Sequence, residues 1–351
     1  MPEPTLITKQ KRAGSDRRRR GVRIPAWIPA LASLRITGVG LLLLGVGSLA
    51  TSPQGDTGPW LIIAPLLLLA LNLGAALLSN PLFRLRPALF GMHVGLLLLA
   101  VALAYGQLTR FRGHIEITEG QAFDPGQVIV DRQPLLTPAL PEEGAFTQGT
   151  VRINYAPGTM RRETLSRVEL DNGQASAARD GRPLIIDGHR FYVTHNKGFS
   201  ALISWWPDQA SSPRLGSLHF PSYPRLAPTQ SLSWTVPGGT ALNLEIRPKS
   251  IPQEKSWTLS GSMAEALLLV RLNGKTRTLH PGERMRLPGG TFRFEAIRMW
   301  IGYRIFYDPS LYLCFSSALI VVCCLAIHLA GRHLRKPKRT ITLTDTGKVT
   351  T

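Results

Sequence analysis

Four apolar runs stand apart from the rest of the chain: Ile36 to Thr51, Trp60 to Leu78, Ala88 to Leu108 and Ser310 to Gly331. Each approaches the roughly 20 residues a helix needs to cross about 30 Å of hydrocarbon, so four membrane helices are expected. The first is short and glycine-rich, with Pro29 to Leu34 adding apolar length ahead of it. It starts late, follows a long basic leader and lacks a small-residue cleavage pattern before Pro53, so it is expected to stay in the mature protein.

Between the third and fourth runs the pattern changes period. "VRINY" and "TFRFEAI" alternate apolar and polar positions as strands do. Turn signals recur at Asn172-Gly173, Asp187-Gly188, Pro237-Gly238-Gly239, Asn273-Gly274 and Pro288-Gly289-Gly290, and "PLIIDGHRFYVTH" reads as a hairpin. About two hundred residues, Thr109 to Asp308, are enough for a core of their own. A mostly antiparallel β domain follows, a sandwich or an open barrel, with less order from Pro134 to Gln148, where Pro, Gly and Glu are frequent. The fold class is therefore an integral membrane α-helical protein with four transmembrane helices and a large extracytoplasmic antiparallel β domain between the third and fourth. The chain divides into a basic leader (1–34), three helices within 35–108 (about 36–51, 60–78 and 88–108), the β-rich domain (109–308), a fourth helix (309–331) and a basic tail (332–351).

Charge sets the expected orientation. The formal net charge of +19 is concentrated in the leader, in the loop carrying Arg84 and Arg86, and in the tail opening at Arg332, Arg335, Lys336, Lys338 and Arg339. The loop "SPQGDTG" has no Lys or Arg. Cations mark the cytoplasmic side, so both termini are expected inside the inner membrane of a bacterium and residues 109–308 outside it. Beside a membrane helix, "RAGSDRRRRGVR" reads as an orientation signal that attracts anionic membrane lipids, and no nucleic-acid partner is expected.

Chemistry is sparse. The three cysteines, Cys314, Cys323 and Cys324, all lie in the fourth apolar run and read as packing residues, which leaves the β domain without a disulfide. There is no Cys-x-x-Cys pair, nucleophile elbow, phosphate loop, zinc motif or carboxylate pair in a recognisable context, so the chain is not expected to be an enzyme by itself.

The informative polar group is His93, in "LFGMHVGLLLLAVAL". Polar side chains in hydrocarbon face a partner, a cavity or a cofactor. His93 lies about five residues from the cytoplasmic start of its helix, roughly 7 to 8 Å inside. Gly91 and Gly95 share one helix face, suited to close packing, and His93 points about 200° away from it. A structural hydrogen bond and ligand binding are both open to it. His328 stands about three residues before the cytoplasmic end of the fourth run, at an approximately equal depth; it reads as an interfacial residue beside Arg332 and His333 or, if the helices adjoin, as a second imidazole. Asn72 reads as an interhelical hydrogen-bonding residue. His114, His189, His195, His219 and His280 have no ligand spacing, and "ISWWPD" reads as β-domain packing or an interface. Trp300, Tyr303, Phe306, Tyr307 and Tyr312 suit an aromatic belt at the membrane surface.

Several segments together resemble the ResB family, the membrane subunit of System II cytochrome c biogenesis: "LASLRITGVGLLLLGVGSLA", "LLLLALNLGAALL", "HVGLLLLAVALAYGQLTRFRGHIEITEGQAF" and "RMWIGYRIFYDPSLYLCFSSALIVVC". The likeness covers the whole architecture and lies in the order and spacing of these segments, none being a rigid catalytic motif. It implies an auxiliary subunit of a cytochrome c synthetase that works with a CcsA/ResC-type partner to carry haem b outward and present apocytochrome c for attachment. It further implies that His93 is an axial haem ligand, the only metal contact being through haem iron, with His328 as a weaker second candidate. The chain departs from the family in its small exported domain and in cysteine positions that the family pattern does not clearly match. The alternative is a membrane-tethered assembly or client-binding protein that never touches haem.

Overall fold

The computed structural model describes residues 25, 27–50, 58–136, 138–208, 212–223, 230–237 and 239–334. The leader cations, most of "SPQGDTG", Gly238 and the tail beyond residue 334 lie outside the described residues.

Helices α1 (Trp27–Leu31), α2 (Leu34–Ala50), α3 (Trp60–Ser79), α4 (Leu82–Leu85) and α5 (Pro87–Thr109) precede the β domain, and α6 (Leu311–Leu334) follows it. Among the described residues three stretches are long and apolar enough to cross a membrane: Trp60–Ser79, Pro87–Thr109 and Leu311–Arg332. Helix α2 is also apolar but has only 17 residues. The helices pack in chain order, α2 on α3, α3 on α5 and α5 on α6. Glycines make the close approaches. A Cβ on Gly47 would meet the Leu61 carbonyl oxygen at 2.3 Å, and one on Gly40 would meet the Leu69 side chain at 2.8 Å.

Asn72 ties the first helices together. Its Nδ2 donates to the carbonyls of Leu31 (2.6 Å) and Ser33 (3.0 Å), and its Oδ1 accepts from Thr37 Oγ1 (2.7 Å). The side chain is buried, so Asn72→Leu leaves two backbone carbonyls and a hydroxyl without this partner. A loss of about 1–2 kcal/mol is expected, in the range of polar interhelical contacts. It would be measured as a lower unfolding midpoint in detergent; an unchanged midpoint would refute it.

The β domain comprises β1 (Phe111–Thr118), β2 (Ile129–Arg132), β3 (Phe146–Tyr155), β4 (Arg161–Leu170), β5 (Ala175–Arg179), β6 (Leu184–Ile186), β7 (His189–Pro207), β8 (Arg214–His219), β9 (Gln230–Thr235), β10 (Ala241–Pro248), β11 (Trp257–Leu259), β12 (Ala264–Leu272), β13 (Lys275–Leu279), β14 (Arg284–Leu287) and β15 (Gly290–Tyr307). Two-residue turns close two of its hairpins. At Asp187-Gly188 and Asn273-Gly274 both residues have positive φ, the backbone that a type I′ turn requires and that Asn, Asp and Gly adopt most readily. Residues 138–145 form no strand, whereas β3 begins at Phe146, inside the segment expected to be less ordered. Phe146 is fully buried, and that burial gives the backbone a partner strand despite the loop-like composition before it.

A seven-stranded sheet runs β2-β1-β15-β7-β6, with β14 on β15 and β8 on β7. Two four-stranded sheets, β13-β12-β10-β9 and β11-β3-β4-β5, share one continuous hydrophobic core with it. Near the helices the core is formed by Phe146 against Phe191 and Tyr303; at the far end Trp234 of β9 packs on Phe292. All paired strands in the three sheets are antiparallel.

Strand β1 follows α5 across one residue, and β15 precedes α6 across three. These two strands are neighbours, paired from Phe111↔Tyr307 to Thr118↔Trp300. Arg110 Nε donates to Asp308 Oδ2 at 2.9 Å, and Asp308 Oδ1 accepts from the Ser310 hydroxyl (2.6 Å) and backbone N–H (3.1 Å). A Cβ on Gly106 would meet Ser310 Oγ at 2.3 Å. The long sheet is thus joined to the α5–α6 pair by two short connections and an ion pair.

Candidate functional site

The glycine face of α5 packs on α6: a Cβ on Gly91 would meet Cys324 Sγ at 2.7 Å, and one on Gly95 would meet Val321 at 2.8 Å. Cys324 is therefore a packing residue of this seam. His93 occupies the other side of α5, half-buried, its ring tilted against Phe83 of α4 at 4.7 Å between centroids. Its Nδ1 lies 2.8 Å from the Leu89 carbonyl oxygen. A carbonyl can only accept, so Nδ1 carries a proton, and in the neutral ring Nε2 keeps its lone pair. Among the described residues Nε2 has no hydrogen-bond partner and is not sealed from the surface. A hydrogen bond of this kind fixes a histidine's tautomer and leaves the other nitrogen able to bind a metal or accept a proton. The donor set at this place is one imidazole; among the described residues no group of three or more His, Cys, Asp or Glu is placed to hold a metal ion.

His328 does not join it. Gly91 sits level with Cys324 and Gly95 with Val321, which puts His93 opposite residues 322–323. His328 is about five residues further along α6, roughly 8 Å of helix rise towards its end. It lies on the α5-facing stripe, four residues after Cys324, whereas His93 faces away from α6. The equal depth expected from counting residues to each apolar boundary is corrected by this register. Helix α6 continues to Leu334, three residues past the end of the apolar run at Gly331.

The expected aromatic belt is also corrected. Tyr303 and Trp300 are buried in the β domain, at 0% and 4% exposure. Trp300 Nε1 donates to the Phe220 carbonyl (2.9 Å) and its ring stacks on His219 at 4.9 Å. These residues belong to strand β15, which leads away from the helices by about 3.3 Å per residue. Tyr312 alone of the five is strongly exposed on a helix, at 72%. Within "ISWWPD", Trp205 is buried beside Gly290 and Trp206 lies under the Arg284 guanidinium at 5.8 Å, both as β-domain packing.

The tertiary structure concentrates charge where strands meet helices. Arg132 Nη2 donates to Gln107 at 2.7 Å, and its pKa is pushed down by burial and by the neighbouring cations Arg110 and Arg112, with Asp308 partly opposing. Arg112 lies over the Phe306 ring at 5.7 Å, and its Nε is buried without a hydrogen-bond partner. Nearby, His189 is buried between Phe111 and Tyr307, and burial lowers its pKa. Of the histidines that sequence spacing left unassigned, His114 and His195 line one groove on the outer face of the long sheet. His114 Nδ1 is 2.8 Å from Asp131 Oδ1. The alternation Arg112, His114, Glu116 along β1 was visible in the sequence; the strands it would meet were not.

No protein-family model and no curated sequence matches the chain. Among solved structures it is similar to one described as "Cytochrome c Heme Lyase CcmF", at 14% identity and a TM-score of 0.27, over 84% of this chain and 34% of that one. The chain spans about a third of the length of that protein. The fold and site place this chain in the class of multi-pass membrane proteins with a large antiparallel β domain.

Proposed function

We propose that this chain is an auxiliary subunit of a System II cytochrome c synthetase, in which His93 is an axial ligand for haem b crossing the membrane beside a CcsA/ResC-type partner. The β domain then presents apocytochrome c on the outer side. The likeness of the helix and junction segments to the ResB family supports this reading, and the observation that carries it is the His93 ring, anchored at Nδ1 to Leu89 with Nε2 unclaimed. Haem is cargo here. The chain's own residues hold the imidazole tautomer, supply an apolar wall including Phe83, and leave the second axial position to the partner.

In this reading α2 completes a fourth crossing, the termini are cytoplasmic and 109–308 is extracytoplasmic. His328 serves as an interfacial residue beside Arg332, not as the second ligand.

The test is the visible spectrum of the chain co-purified with its partner. His93→Ala is expected to remove most of the Soret absorbance at equal expression; an unchanged band would remove His93 from the haem path. The contacts of His93 with Phe83 and the Leu89 carbonyl also favour a second reading, a tethered client-binding protein with a packing histidine. Normal c-type cytochrome levels after deletion of the chain would select that reading.

A further inference from the structure

Arginines crowd the place where the long sheet meets the helices, and few carboxylates answer them. Arg110 follows the last residue of α5, Arg112 is the second residue of β1, and Arg132 pairs with Arg112 across β1 and β2. Arg190 extends the row through Phe306, which pairs with both Arg112 and Arg190. The acidic groups closest in the fold are already engaged: Asp308 by Arg110 and Ser310, and Asp131 by His114. Among the described residues no carboxylate stands within ion-pair distance of Arg112, Arg132 or Arg190. The Arg112 Nε is buried without a hydrogen-bond partner. Burial, and then the charges of Arg110 and Arg112, hold the Arg132 pKa below its ordinary value, with Asp308 opposing only in part. Guanidiniums that repel one another within the protein are stabilised by an anion supplied from outside it, and phosphate matches their planar fork.

The height of the cluster says where that anion comes from. Helix α5 ends at Thr109 and α6 begins at Leu311, so both apolar spans stop here. At about 3.3 Å per strand residue, Arg110 and Arg112 stand roughly 3 and 10 Å past the end of α5. The headgroup layer is about 5–7 Å deep on each side of the hydrocarbon, and long cationic side chains bend to reach it. The chain leaving β2 returns to the same level: the Leu136 N–H donates to the Leu108 carbonyl at 2.9 Å. This holds Leu135 and Leu136, 50% and 56% exposed, beside the last turn of α5, with the exposed Tyr312 at the start of α6. Apolar side chains at the end of a membrane helix with cations directly above them match the two layers of a lipid interface, acyl chains below and headgroups above.

We propose that this junction is a binding site for anionic phospholipid in the leaflet facing the β domain, with Arg112 and Arg132 holding the headgroup phosphate and Leu135 and Leu136 seated among the acyl chains. The site goes beyond the haem-handling reading and does not depend on it. Bound lipid fixes the β1–β15 end of the long sheet against the membrane.

The test must resolve position along the chain, because the basic leader and tail also attract anionic lipid. Hydrogen exchange read by mass spectrometry does so, on the full chain in nanodiscs of phosphatidylcholine with and without phosphatidylglycerol. Phosphatidylglycerol is expected to slow exchange in residues 129–136 while leaving β3 and β4, which no short connection ties to the helices, unchanged. Arg112→Gln with Arg132→Gln should remove that slowing, by about fivefold for each arginine replaced. Arg112→Lys with Arg132→Lys should keep part of it, since the charge remains and the fork is lost. Leu135→Ser with Leu136→Ser changes only exposed side chains and should also shrink the effect. Equal exchange of residues 129–136 in the two wild-type discs would overturn the proposal, whatever the variants do. So would the same phosphatidylglycerol effect in the Arg112→Gln/Arg132→Gln chain. Inorganic phosphate that reproduced the slowing in phosphatidylcholine discs would make this a free-phosphate site and sink the lipid assignment. Should exchange in β3 and β4 show that the glutamine variant is unfolded, the wild-type comparison and the leucine variant decide the matter.

Discussion

Lys197→Met is expected to stabilise the β domain at neutral pH and to flatten its stability between pH 7 and 10. Lys197 is 2% exposed, and its Nζ donates one hydrogen bond, to Thr164 Oγ1 at 2.8 Å. Burial and the nearby Arg161 push its pKa from 10.5 to about 7, against the weaker opposing pull of Asp180. The unfolded chain holds this proton up to about pH 10.5, whereas the folded chain releases it near 7. Between those values the unfolded state binds more protons, so stability rises with pH; below about 7 the cost of the buried charge is fully present. That cost is on the order of a few kcal/mol. Methionine fills a similar volume without charge, and loses one hydrogen bond worth about 1 kcal/mol. The net gain near pH 6.5 is expected to be on the order of 2 kcal/mol. Denaturant unfolding of the full chain in detergent at several pH values measures it; the same slope in wild type and Lys197→Met would show that Lys197 does not titrate in this window.

Tyr303→Ala should be the most damaging single change in the β domain. The ring is fully buried, with Phe146 and Phe191 each at 6.2 Å. Its hydroxyl donates to Gln148 Oε1 at 2.8 Å and lies 2.5 Å from Ser166 Oγ, and Gln148 Nε2 donates to Ser166 Oγ at 2.7 Å. Burial also drives the Tyr303 pKa upward, so the group stays neutral. Alanine leaves a cavity costing about 3–5 kcal/mol. Tyr303→Phe keeps the ring and removes only the hydroxyl, for about 1–3 kcal/mol from the polar atoms left behind. Limited proteolysis and thermal unfolding should rank wild type above Phe above Ala. Equal loss in the two variants would show that the hydroxyl network, not the ring, holds the two sheets together here.

The strongest local signals survived folding because each is satisfied by a few neighbouring residues. Asp187-Gly188 and Asn273-Gly274 take positive φ whatever surrounds them, since the turn chemistry is complete within the dipeptide. Long apolar runs become helices because backbone hydrogen bonds within the segment satisfy its own polar groups. Gly91 and Gly95 were legible as a close-packing face, though not that Cys324 and Val321 would fill it. Trp300 and Tyr303 misled for the opposite reason: in sequence they stand beside a membrane helix, but strand pairing carries them into the core of the β domain.

By itself, the amino-acid order determined the segregation of apolar helices from an antiparallel β region, the places where the chain reverses, and the isolation of His93 among apolar neighbours. Each depends on interactions within about one turn or hairpin. Only the tertiary structure decided that His93 and His328 stand at different levels, that Tyr303 joins two sheets, and that Arg132, Arg112, Phe306 and Arg190 form one row. Those outcomes are set by helix register and strand pairing between residues far apart in the chain, and a one-residue slip in either would turn the same side chains to the opposite face.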